Sequence, residues 1–189
     1  MNEDTTQPEL FRVIARRAVF RGRAVDVYVD RIEYPDGSVS DREIVTHPGA
    51  VAIVPRLPSG EILLVRQERP ATGRLLWEIP AGTLEPEEAP IDCAKRELIE
   101  ETGYAADSWR EVITFYTTPG FSNERITLFF AEALRLVGRP DPAEIAECKP
   151  FGPAELAGMI DRGDLSDAKT ILGLLSRGLL QPLERPQGS

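Results

Sequence analysis

The chain has 189 residues, of which 31 are acidic and 22 basic, with one histidine and 42% hydrophobic side chains. That length suits one domain with a small extra element, and a globule of this size buries about 70% of its unfolded surface without needing covalent staples. The net charge of −9 argues against a reader of nucleic-acid backbones, which presents a basic field. It leaves room for a small anionic substrate, because a bound cation inverts the local field.

Along the chain, the first eight residues are polar. Residues 17–20, 24–29 and 32–34 are short β-prone pieces, and the turn at Pro35, Asp36 and Gly37 separates them from a strand over 39–45. They form a small antiparallel sheet ahead of the main domain. Residues 49–55 and 61–67 are two strong strands joined at Pro58, Ser59 and Gly60, and 75–79 is another. Pro90 suits the first turn of a helix that runs to Thr102, with Gly103 as its left-handed stop. Strands follow at 111–117 and 125–134, bracketing a loop at 119–124, and a polar connector covers 140–147.

Helices are expected at 153–162 and 166–177, the second with Ser166 as N-cap and Ile171, Leu172, Leu174 and Leu175 as its apolar stripe. Interleaved strands and helices indicate an α/β sandwich. The division expected is a sheet over 1–45 serving dimerisation, a catalytic domain over 46–180, and a disordered tail over 181–189. Two cysteines, Cys93 and Cys148, are too few for a disulfide framework, fit a reducing compartment, and read as small buried apolar residues. With no signal pattern at the start and no apolar run long enough to span a bilayer, a soluble cytoplasmic protein is expected.

The stretch from Gly82 to Tyr104 is not ordinary helix building. Glu97, Glu100 and Glu101 lie three and four apart, so their side chains share a helix face. Like charges stacked in this way destabilise a bare helix, by about 0.2–0.5 kcal/mol per pair. A hard divalent cation, which takes carboxylate oxygens, reverses that sign. The plain alternative is a solvated acidic face, which leaves the flanking glycines unexplained.

Gly82, Glu88, Arg96, Glu97, Leu98, Glu100, Glu101, Gly103 and Tyr104 together resemble the Nudix box of the Nudix hydrolases. Tyr104 is the loose match, at a place where a smaller aliphatic residue is usual. The resemblance implies an α/β/α sandwich with a mixed sheet and hydrolysis of a nucleoside diphosphate linked to another moiety. Residues 42–51, 65–69, 78–82, 119–124 and 167–171 are similar to segments of the ADP-ribose pyrophosphatase branch, which implies cleavage of ADP-ribose to AMP and ribose 5-phosphate. GDP-mannose or another nucleotide sugar is the alternative substrate. A non-catalytic ADP-ribose sensor is the alternative of another class, opposed by the complete box and by the lack of a basic helix-turn-helix segment.

The resemblance also implies roles. Glu97, Glu101 and the Ala81 carbonyl are the principal ligands of Mg²⁺ (Mn²⁺ or another divalent cation being possible), joined by Glu100 directly or through water. Gly82 lets the backbone approach the metal. Arg96 orients carboxylates of the box, and Glu88 is a partner in that network or an outer ligand. Glu144, in the connector, matches the branch's general base best, although Pro142 and Ala143 stand where acidic residues are common. Glu147 and Glu100 remain competitors, and solvated loop carboxylates are the plain reading of Glu144 and Glu147.

By the same resemblance Arg42, Arg69 and Arg66 would bind phosphates through their planar forks, surface arginines on strands being the plain alternative. Glu124 accepts from a ribose hydroxyl or pairs locally, and Phe20, Tyr28 or Phe121 offers an aromatic shelf for the base unless it belongs to the core. His47 reads as a turn residue. In this branch the N-terminal sheet packs across a two-fold axis with strands exchanged, so a homodimer is expected, with a small-molecule nucleotide sugar as substrate and neither nucleic acid nor membrane as partner.

Overall fold

A computed structural model of the chain describes residues 10–143, 145–176 and 178; the tail expected at 181–189 lies outside them. The chain divides into two compact units, one running as far as Gly49 and taking in Tyr116–Arg125, the other comprising Ala50–Phe115 and the chain from Ile126 onward. In the first unit, β1 (Arg12–Arg21), β2 (Asp26–Glu33) and β3 (Val39–Thr46) form an antiparallel sheet in that order. The pieces expected separately at 24–29 and 32–34 are one strand. Asp30 lies between them, buried, where Arg16 of β1 grips its carboxylate through Nε and Nη2 at 2.7 and 2.6 Å. A cross-strand charge pair thus keeps a polar step inside the ladder.

The second unit contains β4 (Ala50–Pro55), β5 (Ile62–Arg69), β6 (Arg74–Glu78), β7 (Ala81–Thr83), α1 (Pro90–Thr102), most of β8 (Tyr104–Tyr116) and of β9 (Arg125–Leu136), β10 (Glu147–Phe151), α2 (Pro153–Asp161) and α3 (Ala168–Leu175). One sheet has the order β7-β4-β9-β8 and is mixed, with β4 parallel to β9 and antiparallel to β7; the other, antiparallel, has the order β10-β5-β6. The period-two alternation of β4 explains the layering. Ala52 and Val54 pack into one core with Leu64, Leu128, Leu156 and Leu174, while Val51 and Ile53 pack into another with Cys93, Ala94 and Leu98 of α1. The mixed sheet is therefore covered on both faces, as the α/β sandwich reading requires.

Several boundaries differ from expectation, that of β1 among them, which begins at Arg12 rather than 17. β10 begins at Glu147, where the polar connector is expected to end; Pro150 and the charged Glu147 and Lys149 hide it, and such residues are tolerated because, among the described residues, β10 is an edge strand paired with β5. β8 starts at Tyr104 rather than 111, its early polar residues again belonging to an edge strand. The N-cap of α3 is Asp167 rather than Ser166, its carboxylate accepting from the Thr170 amide at 2.9 Å.

α1 ends as expected. Gly103 has φ 76° and donates its amide to the Ile99 carbonyl at 2.8 Å. A Cβ there would sit 2.6 Å from the Gly138 carbonyl oxygen. Gly103→Ala is expected to cost about 2 kcal/mol, from left-handed backbone strain of about 1–2 kcal/mol plus that overlap, measurable as a lower urea midpoint with unchanged slope.

Candidate active site

The packing of α1 sets the site. Its inner stripe, Cys93, Ala94, Glu97, Leu98 and Glu101, is buried, so two carboxylates go inward with the apolar residues. Glu97 meets the backbone of β7: a Cβ built on Gly82 would lie 1.9 Å from both Cδ and Oε1 of Glu97. No side chain larger than hydrogen fits there while Glu97 keeps its place. Glu101 accepts from the Ala81 amide at 2.9 Å through Oε2 and from the Gln67 side-chain amide through Oε1. Burial pushes the Glu101 carboxyl up to about 7, the Ala81 amide opposing the rise and the charge of Glu97 adding to it.

Arg96 ties three carboxylates together. Its Nη1 donates to Glu97 at 2.6 Å and to Glu100 at 3.0 Å, while Nε and Nη2 hold the two oxygens of Glu88 at 3.0 Å each. That fork holds the Glu88 carboxyl down at about 2. The like-charge repulsion expected between Glu97 and Glu100 is thus offset inside the protein by one guanidinium. Cys93 is wholly buried behind this group, its thiol pushed up to about 12 by burial, and Cys148 is half-buried; both are free thiols.

Among the described residues, no group of three His, Cys, Asp or Glu side chains could hold a metal ion as the side chains stand. The three-carboxylate cluster expected from spacing is divided instead, Glu97 and Glu100 turned to Arg96 and Glu101 to Gln67 and Ala81. The donor chemistry nevertheless fits a divalent cation. Every candidate ligand is an oxygen, and Glu101 is a buried carboxyl whose ionisation is opposed by burial and by Glu97, an imbalance that added positive charge would relieve.

Arg69 shares a face of β5 with Gln67, two residues before it, and its charge favours the ionised form of Glu101. Its Nε and Nη2 hold the oxygens of Glu78 at 2.8 and 2.7 Å. Glu78 is 1% exposed and also receives the Lys169 ammonium, which donates in turn to Asp167 at 3.0 Å. Burial raises the Glu78 carboxyl, yet Arg69 and Lys169 outweigh it and leave the group below the usual carboxylate range.

Arg66 follows the opposite course. As the neighbour of Gln67 on a strand it projects to the other face of β5, where Nη1 donates to Glu147 at 2.8 Å and the guanidinium lies 5.7 Å from the centre of the Trp77 ring. There it lines a groove of ≈ 630 Å³ with Arg74, Trp77, Phe151 and Arg162. Glu147 is held below the usual carboxylate range by Lys149 and by Arg66. Glu144 lies outside the described residues.

The remaining candidates belong to the first unit. Arg42 donates to the Tyr34 hydroxyl at 3.0 Å. Tyr28 donates to Asp26 at 3.1 Å, with the Arg16 guanidinium 4.9 Å from its ring centre. Phe20 and Phe121 are exposed, the latter accepting the Val45 amide through its carbonyl at 2.8 Å. Glu124 accepts from the Thr117 hydroxyl at 2.6 Å. His47 accepts the Gly49 amide on Nδ1 at 3.0 Å and donates its own amide to the Asn123 side chain at 2.8 Å, the bonding of a turn residue. Sequence reading missed Gln67, Glu78 as a buried anchor, and Lys169. The available signal for Glu78 was a carboxylate directly after the apolar run Leu75, Leu76 and Trp77; Gln67 stands among Arg66, Glu68 and Arg69, and nothing local sets it or Lys169 apart.

A NUDIX domain model matches residues 46–173. The chain is 38% identical over 176 residues to the ADP-ribose pyrophosphatase of Bacillus subtilis, covering 92% of this chain and 95% of that protein. It is 37% identical over 170 residues to the ADP-ribose pyrophosphatase of Mycobacterium tuberculosis, covering 88% and 82%. The crystal structure of an ADP compounds hydrolase superposes with a TM-score of 0.80 over 92% of this chain and 95% of that one, at 20% identity, a likeness of fold.

Proposed function

We propose that this chain, which belongs to the NUDIX domain family, hydrolyses the diphosphate of ADP-ribose to AMP and ribose 5-phosphate. The observation that carries this reading is the pair of buried carboxylates, Glu97 seated on the Gly82 backbone of β7 and Glu101 bonded to the amide of the preceding residue, Ala81. It is supported by similarity to ADP-ribose pyrophosphatases over most of the chain.

Glu97, Glu101 and the Ala81 carbonyl would hold Mg²⁺, with Glu100 alongside. When bound, the cation would neutralise the diphosphate and make water a stronger nucleophile at neutral pH. Arg96 is a positioning residue, spanning Glu88, Glu97 and Glu100. Arg69 would bind a phosphate oxygen through Nη1, the end of its fork that Glu78 does not use. Arg42 would bind a second phosphate, Glu124 a ribose hydroxyl, and Phe20, Tyr28 or Phe121 the adenine ring. For the proton of the attacking water we assign Glu144 first and Glu100 second. Glu147 suits the task less, because Lys149 and Arg66 hold its carboxylate in the weakly basic, ionised form. Arg66 has its ion pair with Glu147 on the other face of β5, which favours a structural role over phosphate binding.

A homodimer completes the proposal. Among the described residues β1 is an edge strand whose ten residues are all exposed, Val13, Ile14, Val19 and Phe20 among them beside four arginines, and an edge strand with exposed apolar side chains is a template for a second chain. Light scattering is expected to give twice the chain mass; a fully active monomer would remove dimerisation from the mechanism. Among the described residues no helix is long and apolar enough to cross a membrane, and a cytoplasmic location is proposed with the dimer.

The direct test is Glu97→Gln together with chelation. The variant is expected to lose about 10³-fold in kcat, or about 4 kcal/mol of transition-state stabilisation, with its melting temperature kept. EDTA should silence the wild-type enzyme, and excess Mg²⁺ should restore it. Unchanged turnover in Glu97→Gln would refute the metal assignment.

A further inference from the structure

Residues 167–171 open α3 and contain none of the α1 carboxylates, yet they reach the same region through Glu78. Asp167 caps the helix, accepting from the Thr170 amide at 2.9 Å and the Thr170 hydroxyl at 2.6 Å. That hydroxyl accepts the Ile79 amide at 2.9 Å, which fixes α3 against the end of β6. Lys169 then spans Asp167 and Glu78, and Glu78 grips two nitrogens of Arg69. The cluster is two carboxylates and two cations, neutral as a whole. Three of its members are poorly hydrated, the side chains of Lys169, Asp167 and Glu78 being 12%, 17% and 2% exposed, so solvent and salt screen them weakly, while Arg69 is 41% exposed and opens to solvent.

We propose that Lys169 is a positioning residue for substrate binding: by neutralising Glu78 and Asp167 it leaves the charge of Arg69 available to the substrate's diphosphate. Without Lys169, one guanidinium would stand against two fixed carboxylates. Asp167 cannot turn away, because it caps α3. The cluster would then carry one net negative charge beside a site that must accept an anion, and Glu78 would lose its tie to α3, so that the Arg69–Glu78 pair could swing. This rests on the ADP-ribose reading above and adds to it the residue that makes Arg69 an effective anion binder.

The test measures binding of a non-hydrolysable ADP-ribose analogue by calorimetry, beside steady-state kinetics, in Lys169→Met, Asp167→Asn and the double variant. Lys169→Met is expected to bind the analogue about tenfold more weakly and to raise KM by a similar factor, one unpaired charge at short range in a poorly screened setting. Its kcat should stay within about threefold and its Mg²⁺ affinity should be unchanged, since the α1 carboxylates are untouched. Asp167→Asn, which keeps a capping oxygen, should bind at least as well as wild type. The double variant restores neutrality and should recover most of the loss. Recovery by removing a second charge is a result that a merely structural role for Lys169 would not give. Equal binding by wild type and Lys169→Met would overturn the proposal, and so would a double variant weaker than Lys169→Met. A wild-type protein that binds no analogue would overturn the ADP-ribose reading and this proposal with it, an outcome distinct from the other two.

Discussion

Gly82→Ala is expected to remove most hydrolytic activity while leaving the protein folded. The added methyl would lie 1.9 Å from Cδ and Oε1 of Glu97 and 2.5 Å from its Cγ. All of these atoms belong to the far part of a side chain, so the conflict is relieved by rotating Glu97 away rather than by shifting β7. A carboxylate displaced by an ångström or more from its working position costs about 10²-fold in rate, and loss of a metal ligand adds to that, so a fall of about 10²–10³-fold in kcat is expected. The stability cost should stay near 1 kcal/mol, because the backbone keeps its pairing with β4. Turnover and thermal melting on the same preparation check both halves. Near-normal activity would mean that Glu97 does not work from the position seen here.

Glu78→Ala is expected to have the largest effect on stability. It would leave Lys169 and Arg69 without the carboxylate that both contact at a site 1% exposed. Breaking a buried pair by removing one partner costs about 3–5 kcal/mol, a large part of the roughly 5–15 kcal/mol that holds a domain together. Urea unfolding against wild type measures it. The pH dependence has a definite sign. The folded carboxyl lies below its ordinary value because Arg69 and Lys169 outweigh burial. Its stabilisation is therefore full above the ordinary glutamate pKa and is lost as pH falls through the lower folded value. The gap between wild type and Glu78→Ala should narrow in acid; a gap that widened there would contradict the charged-cluster description.

Local signals were legible in the chain. Pro90 and Gly103 bound α1 at the residues that the capping rules indicate, and the apolar runs at 50–55 and 62–65 are core strands. Spacing along α1 correctly gathered Glu97, Glu100 and Glu101 onto one helix, yet it could not divide them between Arg96 on one side and Gln67 with the Ala81 amide on the other. That division depends on how β5 and β7 pack against the helix. Glu78 and Lys169 are 91 residues apart in sequence, a pairing that no local pattern encodes. Arg66 and Arg69 look alike in the run Val65 to Arg69, but strand alternation directs them to opposite faces, and only the contact between Gln67 and Glu101 shows which face holds the site. β10 was hidden because charged residues and a proline are acceptable in an edge strand.

The most direct measurement is product analysis after incubation with ADP-ribose and Mg²⁺, with GDP-mannose in parallel. Release of AMP and ribose 5-phosphate in equal amounts, absent in EDTA and in Glu97→Gln, and well ahead of GMP release from GDP-mannose, is the result expected. Equal or faster cleavage of GDP-mannose would contradict the substrate assignment, and binding of ADP-ribose without any cleavage would contradict the enzyme.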